Sequence, residues 1–335
     1  MQCEQLSEIA TLFNKYHNFI ISSHVNLDGD ALGSELALYF MLKQLKKEVR
    51  VVNQDKIPYM YEFLPGVDDI ICLVEQQELD KNLILKISPG TVLVILDSSS
   101  LDRIGDISIN IPQFDIIINI DHHPSNTNFG HYNYIDTNSS SVGEIIFHLG
   151  KEMNCQINEQ IAIPLYTAIV TDTGSFHYAN TRAETFQVAF HLVESGADPH
   201  LITNYIYHNN NVSGLKLLGE ALLKMRVDKK FKLSWTVITR DMMEETFAKE
   251  EETEGIVDKI LSIKEVQVSV LFREIKNGNI KVSLRSKGEF NVDHFSRIFG
   301  GGGHPNAAGC QVEGDINTVT EKVIAKLKEA LTNQC

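Results

Sequence analysis

In the stretch HVNLDGDALGS, directly after the apolar run FIISS, His24, Asp28 and Asp30 stand within seven residues. Carboxylates this close repel each other unless something positive lies between them, so the cluster is either a solvated turn or a cation site. Asp97 closes the apolar run TVLVIL, Asp121, His122 and His123 close FDIIINI, and Asp172 lies in AIVTDTGSF near the end of an apolar helical run. Each has a plain reading by itself: an Asp after a strand commonly caps a helix, and a lone loop histidine is commonly a hydrogen-bonded surface residue. Together, five Asp and three His at the ends of buried elements would place several negative charges in one cleft. Such charges ionise together only when cations oppose them. A carboxylate–imidazole set suits Mn²⁺ or a similar divalent ion better than a thiolate-seeking metal. A pair of such ions, bridged by one carboxylate, suits phosphoester hydrolysis, where it activates water and neutralises phosphoryl oxygens.

The elements that must position these groups are legible in the apolar periodicity. Strands are predicted over residues 19–24, 49–53, 91–96 and 114–120, alternating with helical stretches, which is the pattern of an α/β domain with a mainly parallel sheet. Between the first two strands, Leu32, Leu36, Tyr39, Phe40 and Leu45 suit a buried helical stripe. In such a sheet ligands gather outside the carboxyl ends of strands, where the acidic and histidine clusters stand. Helices are predicted over SSVGEIIFHLGKEM, EQIAIPLYTAIVTD and RAETFQVAFHLVESG, with Ser139–Ser141 serving as an N-cap. ADPHLITNYIYHNN reads as a crossing segment, VSGLKLLGEALLKM as a connecting helix, and residues 241–262 as an acidic helix. Asn277-Gly278-Asn279, between two alternating runs, predicts a hairpin, and Trp235 reads as strand core. The expected organisation is a catalytic domain over 1–195, a helical linker over 196–226 and a smaller α/β domain over 227–335.

Composition narrows the partners. The chain has 335 residues, a formal net charge of −14 and 43% hydrophobic residues, with a mean hydropathy of −0.10. This balance argues against wrapping a long nucleic acid, but not against a small anionic substrate met by metal or arginine. The five cysteines are scattered, with no C-x-x-C pair, as expected of a reducing compartment. The N-terminus lacks the pattern of a signal sequence, and no apolar run has the length of a membrane span, so a cytoplasmic location is expected. A homodimer is compatible with the sequence, which does not report oligomeric state.

HVNLDGDALGS, the Asp97 strand end, DHHP and VTDTGSF occur in the order and spacing of the four motifs of the DHH phosphoesterase family, and GGGGHPNAAG (300–309) resembles the signature of its associated substrate-binding domain. The two-domain form is similar to the family's bifunctional oligoribonucleases and pAp phosphatases. That resemblance implies hydrolysis of very short RNA to mononucleotides and of 3′-phosphoadenosine 5′-phosphate (pAp) to AMP, with two divalent ions, Mn²⁺ first and Mg²⁺ or Co²⁺ as alternatives. It implies one ion held by His24, Asp28 and Asp97 and a second by Asp30, Asp97, His122 and Asp172. His123 would face the phosphate or leaving group, and Asp121 would orient an imidazole. Water would be the nucleophile, with no covalent serine or cysteine intermediate.

On the substrate side the resemblance implies that Arg285, His304 and the loop Gly301, Gly302 and Gly303 contact phosphate or sugar. Arg103 is a further candidate of the same kind. Successive exposed amides in the glycine loop would form an anion-binding nest, although Arg285 alone reads as a solvated strand-end charge. If the second domain caps the centre, only short or terminal substrates reach it. Hydrolysis of cyclic or linear dinucleotides shares the chemistry at phosphorus and is the alternative activity. A non-catalytic nucleotide-binding protein is the alternative of another class, and an intact ligand set with a bridging carboxylate argues against it.

Overall fold

The computed structural model describes residues 2–75, 87–275 and 278–333. The chain divides into two compact units, Met1–Asn209 and Asn210–Cys335.

In the first unit the described elements run α1 (Gln2–Lys15), β1 (Asn18–Ser22), α2 (Gly29–Gln44), β2 (Glu48–Asn53), β3 (Ile71–Cys72), β4 (Thr91–Leu96), β5 (Ile116–Asp121), β6 (Tyr132–Ile135), α3 (Val142–Glu152), α4 (Glu159–Asp172), α5 (Ala183–Glu194) and α6 (Pro199–Tyr207). The strands form one sheet in the order β3-β2-β1-β4-β5-β6, with every pair parallel. Its direction of winding reverses between β1 and β4, so the carboxyl ends that carry His24 and Asp97 are neighbours at the switch point. Both sheet faces are covered. Phe19, Ile21, Val92, Val94, Leu96, Ile118 and Ile120 join one core, while Ile20, Leu93, Ile95 and Ile117 join another with Ile104, Ile107 and Phe114. Burial on two sides is why these strands read as continuous apolar runs instead of alternating ones.

The expected stripe on α2 is only part of its contact surface. Leu32, Leu36 and Tyr39 are buried and Phe40 and Leu45 partly so, but Asp30, Ser34, Glu35, Leu38 and Met41 are buried as well. The helix packs against β1, β2 and β4 and also against α3 and α4, so it is enclosed rather than amphipathic. The segment read as a crossing contains helix α6, started by Pro199 behind Asp198, whose carboxylate accepts from the amides of His200 and Leu201. β3 and β6, of two and four residues, are too short to leave a periodic signal.

In the second unit the described elements are α7 (Val212–Leu223), β7 (Arg226–Asp228), β8 (Leu233–Ile238), α8 (Arg240–Thr246), α9 (Ile256–Leu261), β9 (Val268–Glu274), β10 (Asn279–Ser286), α10 (Val292–Arg297), β11 (Gly302–His304), β12 (Ala307–Glu313) and α11 (Ile316–Asn333). They build a mixed sheet in the order β11-β12-β10-β9-β8-β7, parallel only between β8 and β9. β9 and β10 pair antiparallel as the hairpin signal predicts; Asn277 itself lies outside the described residues. The single acidic helix expected over 241–262 is instead α8 and α9. Phe247 and Gly255 adopt left-handed conformations (φ +58° and +76°), which end one helix and precede the other. Trp235 packs against the core of this unit. No helix among the described residues is long and apolar enough to cross a membrane.

Candidate metal centre

The strand ends and two helix termini of the first unit bring their acidic and histidine side chains together. His24 follows β1, and its Nδ1 lies 2.8 Å from Val25 O. A carbonyl there can only accept, which assigns the ring proton to Nδ1 and turns Nε2 toward Asp28 Oδ2 (3.6 Å) and Asp97 Oδ2 (3.3 Å). Asp28 is also the N-cap of α2, its Oδ1 accepting from the amides of Asp30 and Ala31. Capping therefore uses one oxygen of this carboxylate and leaves the other facing His24. The ligand atoms of His24, Asp28 and Asp97 lie within 4.8 Å of one another, as do those of Asp30, His122 and Asp172.

Asp97 stands between the two groups. Its Oδ2 faces His24, and its Oδ1 lies 3.7 Å from His122 Nε2 and 3.5 Å from His123 Nδ1. Asp97 Oδ1 is buried and accepts no hydrogen bond from the described residues. The residue has φ +52°, a conformation that costs an L-residue energy and that folds retain chiefly at functional sites. Asn26 beyond β1, and Ser175 and Phe176 beyond α4, share this left-handed geometry.

Asp30 sits in the first turn of α2 and is 2% exposed. Its two oxygens accept from Val142 N (2.7 Å) and Gly143 N (2.9 Å) at the start of α3, and Ser34 Oγ donates to Oδ1. Its Oδ2 lies 3.8 Å from His122 Nε2, whose ring Nδ1 donates to Ser139 O (3.2 Å). Asp172, the last residue of α4, lies 3.8 Å from the same Nε2 and accepts from Asn180 Nδ2 (3.2 Å). Asp121 is fully buried; its Oδ1 accepts from His122 N and from His123 Nδ1 (2.7 Å), and Oδ2 accepts from Asn126 (2.6 Å).

The charge balance of this cluster fits a divalent cation. Burial and the neighbouring Asp97 hold the Asp30 carboxyl well above its usual range, against the pull of His122. Burial and Asp97 likewise push Asp172 up to about 6, again against His122. His122 is raised to about 10 although burial alone would lower it, because Asp172, Asp30 and Asp97 surround it. His24 is raised in the same way, Asp28 and Asp97 outweighing its burial. Asp28 and Asp121 are held below the usual carboxylate range by His24 and His123 respectively, overriding desolvation. Without a cation, protons must supply the positive charge that these carboxylates require. Oxygen and imidazole donors in two triads, with an undonated Asp97 oxygen between them, are a donor set for such ions.

Arg103 braces this region through its backbone: Val25 N donates to Arg103 O (2.7 Å), and its side chain is half-buried. Arg285, in the second unit, meets acidic partners, Asp258 (3.4 Å) and Glu254 (3.9 Å), and donates to Leu284 O. The glycine loop departs from the expected nest. The amides of Gly300, Gly301 and Gly303 donate to Arg297 O, Ser296 O and Asp293 Oδ1, so these three point at internal acceptors. Gly301 and Gly303 answer a steric demand instead, since a Cβ on Gly301 would run into Gly309 O and the Cys310 side chain, and one on Gly303 into Ala307 O. Gly302 and His304 lie in β11, paired with Gly309 and Ala307.

Sequence reasoning missed the polar residues behind the ligands: Glu35, Asn126, Glu144 and Asn180. Glu35 is fully buried on α2, accepting from Asn53 Nδ2 (2.8 Å). Burial pushes its carboxyl up to about 7 despite that hydrogen bond. The folded protein thus keeps a proton that the unfolded chain gives up near 4.5, so this group's contribution makes stability fall as pH rises from about 4.5 to about 7. Glu35→Gln is expected to flatten the decline, by up to about 3 kcal/mol at the upper end. Thermal midpoints of both proteins in chelator across this window check it; identical slopes would show that Glu35 contributes none of it.

Known proteins resemble this chain. Residues 18–169 match the model of the DHH family, N-terminal domain, and residues 236–333 match the DHHA1 domain. A Thermus thermophilus protein named bifunctional oligoribonuclease and PAP phosphatase NrnA is 33% identical over 313 residues, covering 93% of this chain and 90% of the relative. The chain belongs to the DHH family. A second relative with the same name, from Bacillus subtilis, is 27% identical over 91% of this chain and 93% of its own length. The crystal structure of an exopolyphosphatase-related protein from Bacteroides fragilis superposes with a TM-score of 0.89 at 30% identity, over 98% of both chains. Dependence on divalent metal goes with the DHH family, and the two triads contain acidic residues able to bind it.

Proposed function

We propose that this chain is a metal-dependent phosphoesterase that hydrolyses very short RNA to mononucleotides and dephosphorylates pAp, with Mn²⁺ as its working ion. The observation that carries the reading is Asp97, whose two oxygens face two separate ligand triads in a chain 33% identical to an oligoribonuclease and PAP phosphatase. His24, Asp28 and Asp97 would hold one ion, and Asp30, Asp97, His122 and Asp172 the other. When bound, the ions acidify water and offset charge on phosphoryl oxygens. His24 and His122 keep their Nδ1 protons on Val25 O and Ser139 O, which directs both Nε2 atoms inward. His123 donates Nδ1–H to Asp121, which fixes the ring so that Nε2 would face the phosphate or the leaving oxygen. In the second unit, Arg285, His304 and the loop Gly301–Gly303 would engage phosphate or sugar, and the scattered cysteines favour a reducing cytoplasm.

Purified protein with Mn²⁺, offered a dinucleotide, pAp and a cyclic dinucleotide in parallel, is expected to turn over the first two and to lose all turnover in excess chelator. No turnover of any substrate with metal bound would overturn the enzyme reading. A large preference for the cyclic substrate in kcat/KM would replace the substrate while keeping the chemistry.

A further inference from the structure

The ligands of the second triad come from three elements: Asp30 from α2, His122 from beyond β5 and Asp172 from the end of α4. One short backbone segment, Ser139–Gly143, reaches all three. Ser139 O accepts from His122 Nδ1, and the amides of Val142 and Gly143 donate to the two oxygens of Asp30. Ser140 O accepts from Asn180 Nδ2 (2.8 Å), and the same amide nitrogen donates to Asp172 O and Oδ2. The relative placement of the three ligands is therefore set by where this segment lies.

The segment is held in turn by Glu144, a carboxylate that is 2% exposed and belongs to neither ligand triad. Glu144 folds back from the first turn of α3. Its Oε2 accepts from Ser140 Oγ, from Ser140 N (3.4 Å) and from Thr185 Oγ1 (2.9 Å) of α5. Its Oε1 accepts from Arg182 Nη2 (3.3 Å). Ser141 caps the helix by accepting from Glu144 N, and Ser139 Oγ donates to Ser141 O, so the serines and Glu144 lock one another. An N-cap alone needs only Ser141. Burying a glutamate side chain at 144 is an additional cost that the capping role does not explain.

We propose that Glu144 is a positioning residue for the cation held by Asp30, His122 and Asp172, acting through Ser140. The proposal rests on the reading of those residues as metal ligands. Outer-shell partners of this kind set ligand orientation, and their loss typically weakens metal affinity roughly 10–100-fold. Glu144→Gln keeps the size of the side chain but removes one acceptor; Ser140→Ala removes only the hydroxyl that joins Glu144 to the segment.

The test is calorimetric binding of Mn²⁺ alone to the full-length chain, freed of metal beforehand. Wild type is expected to bind two ions, and both variants to bind one with wild-type affinity and the other roughly 10–100-fold more weakly. Their kcat should fall at limiting Mn²⁺ and recover at high Mn²⁺, with KM for a dinucleotide unchanged; a merely structural role would not give that metal-dependent recovery. Ser140→Ala keeps the proposal testable should Glu144→Gln fold poorly. Two ions bound by Ser140→Ala with wild-type affinity, or both weakened alike, would overturn it. A wild-type chain that takes up no Mn²⁺ would overturn the metal reading itself, and this proposal with it.

Discussion

Replacing Asp97 by asparagine is expected to lower turnover by roughly 10³-fold or more without lowering the stability of the metal-free protein. The activity loss follows from its place: Oδ2 faces His24 and Oδ1 faces His122, so a neutral amide with one oxygen cannot serve both triads. Metal stabilisation of charge at phosphorus amounts to several kcal/mol, and each 1.36 kcal/mol is a factor of ten in rate. The stability expectation has the opposite sign. Asp97 is 2% exposed, and its charge raises the neighbouring carboxyls of Asp30 and Asp172. Removing it relieves that repulsion when no cation is present, which offsets the loss of a partner for His24 and His122. Asparagine also tolerates the φ of +52° at this position better than alanine does. Thermal melts in chelator and steady-state rates in Mn²⁺ check both halves; turnover within tenfold of wild type would remove the bridging role.

Gly33→Ala is expected to destabilise the first unit by roughly 1–3 kcal/mol, although alanine is intrinsically the better helix former. A Cβ at this position on α2 would run into Pro164 O of α4 and lie 2.9 Å from Ala168 Cβ. At Gly143 of α3 a Cβ would lie 2.5 Å from the same Ala168 Cβ. The helices that carry Asp30 and Asp172 are thus packed closely enough that one methyl group must separate them. Activity should fall together with stability, because the displacement acts on the line between Asp30 and Asp172. Gly219 on α7 is the contrasting case: its Cβ would meet nothing within 4 Å. Gly219→Ala should be neutral or stabilising by up to about 1 kcal/mol. Urea unfolding of the three proteins gives the order, and a Gly33→Ala variant as stable as wild type would contradict the close packing.

The chemistry-bearing residues were legible because each occupies a marked local context. His24, Asp97 and the DHH triplet each end an apolar run, and Asp172 ends an apolar helix, so their positions at element termini follow from periodicity alone. The polar supports were not legible in that way. Ser139–Ser141 were read as an N-cap, and Ser141 is one, yet the use of Ser139 O, Ser140 O and the Val142 and Gly143 amides involves backbone atoms that every residue possesses. Glu144 resembles an ordinary first-turn helix acid until Arg182 and Thr185, some forty positions away, are brought against it. The hydrogen bonding of the glycine loop was hidden for a related reason. Four glycines suggest free amides, but Asp293 and the end of α10 take three of them. The break between α8 and α9 depends on the left-handed Phe247, a residue whose type does not announce that conformation.

The sequence by itself determined the alternation of buried strands and helices, the family and the ordered set of carboxylates and imidazoles, because these are written in residue type and short-range spacing. Only the tertiary structure decided which oxygen of Asp28 caps a helix and which faces His24, and which nitrogens of His24 and His122 turn toward the carboxylates. It also decided that one serine-rich turn, hydrogen-bonded to a buried glutamate, reaches Asp30 and His122 directly and Asp172 through Asn180. Those outcomes depend on hydrogen bonds between atoms distant along the chain, and direction at that range is set by packing.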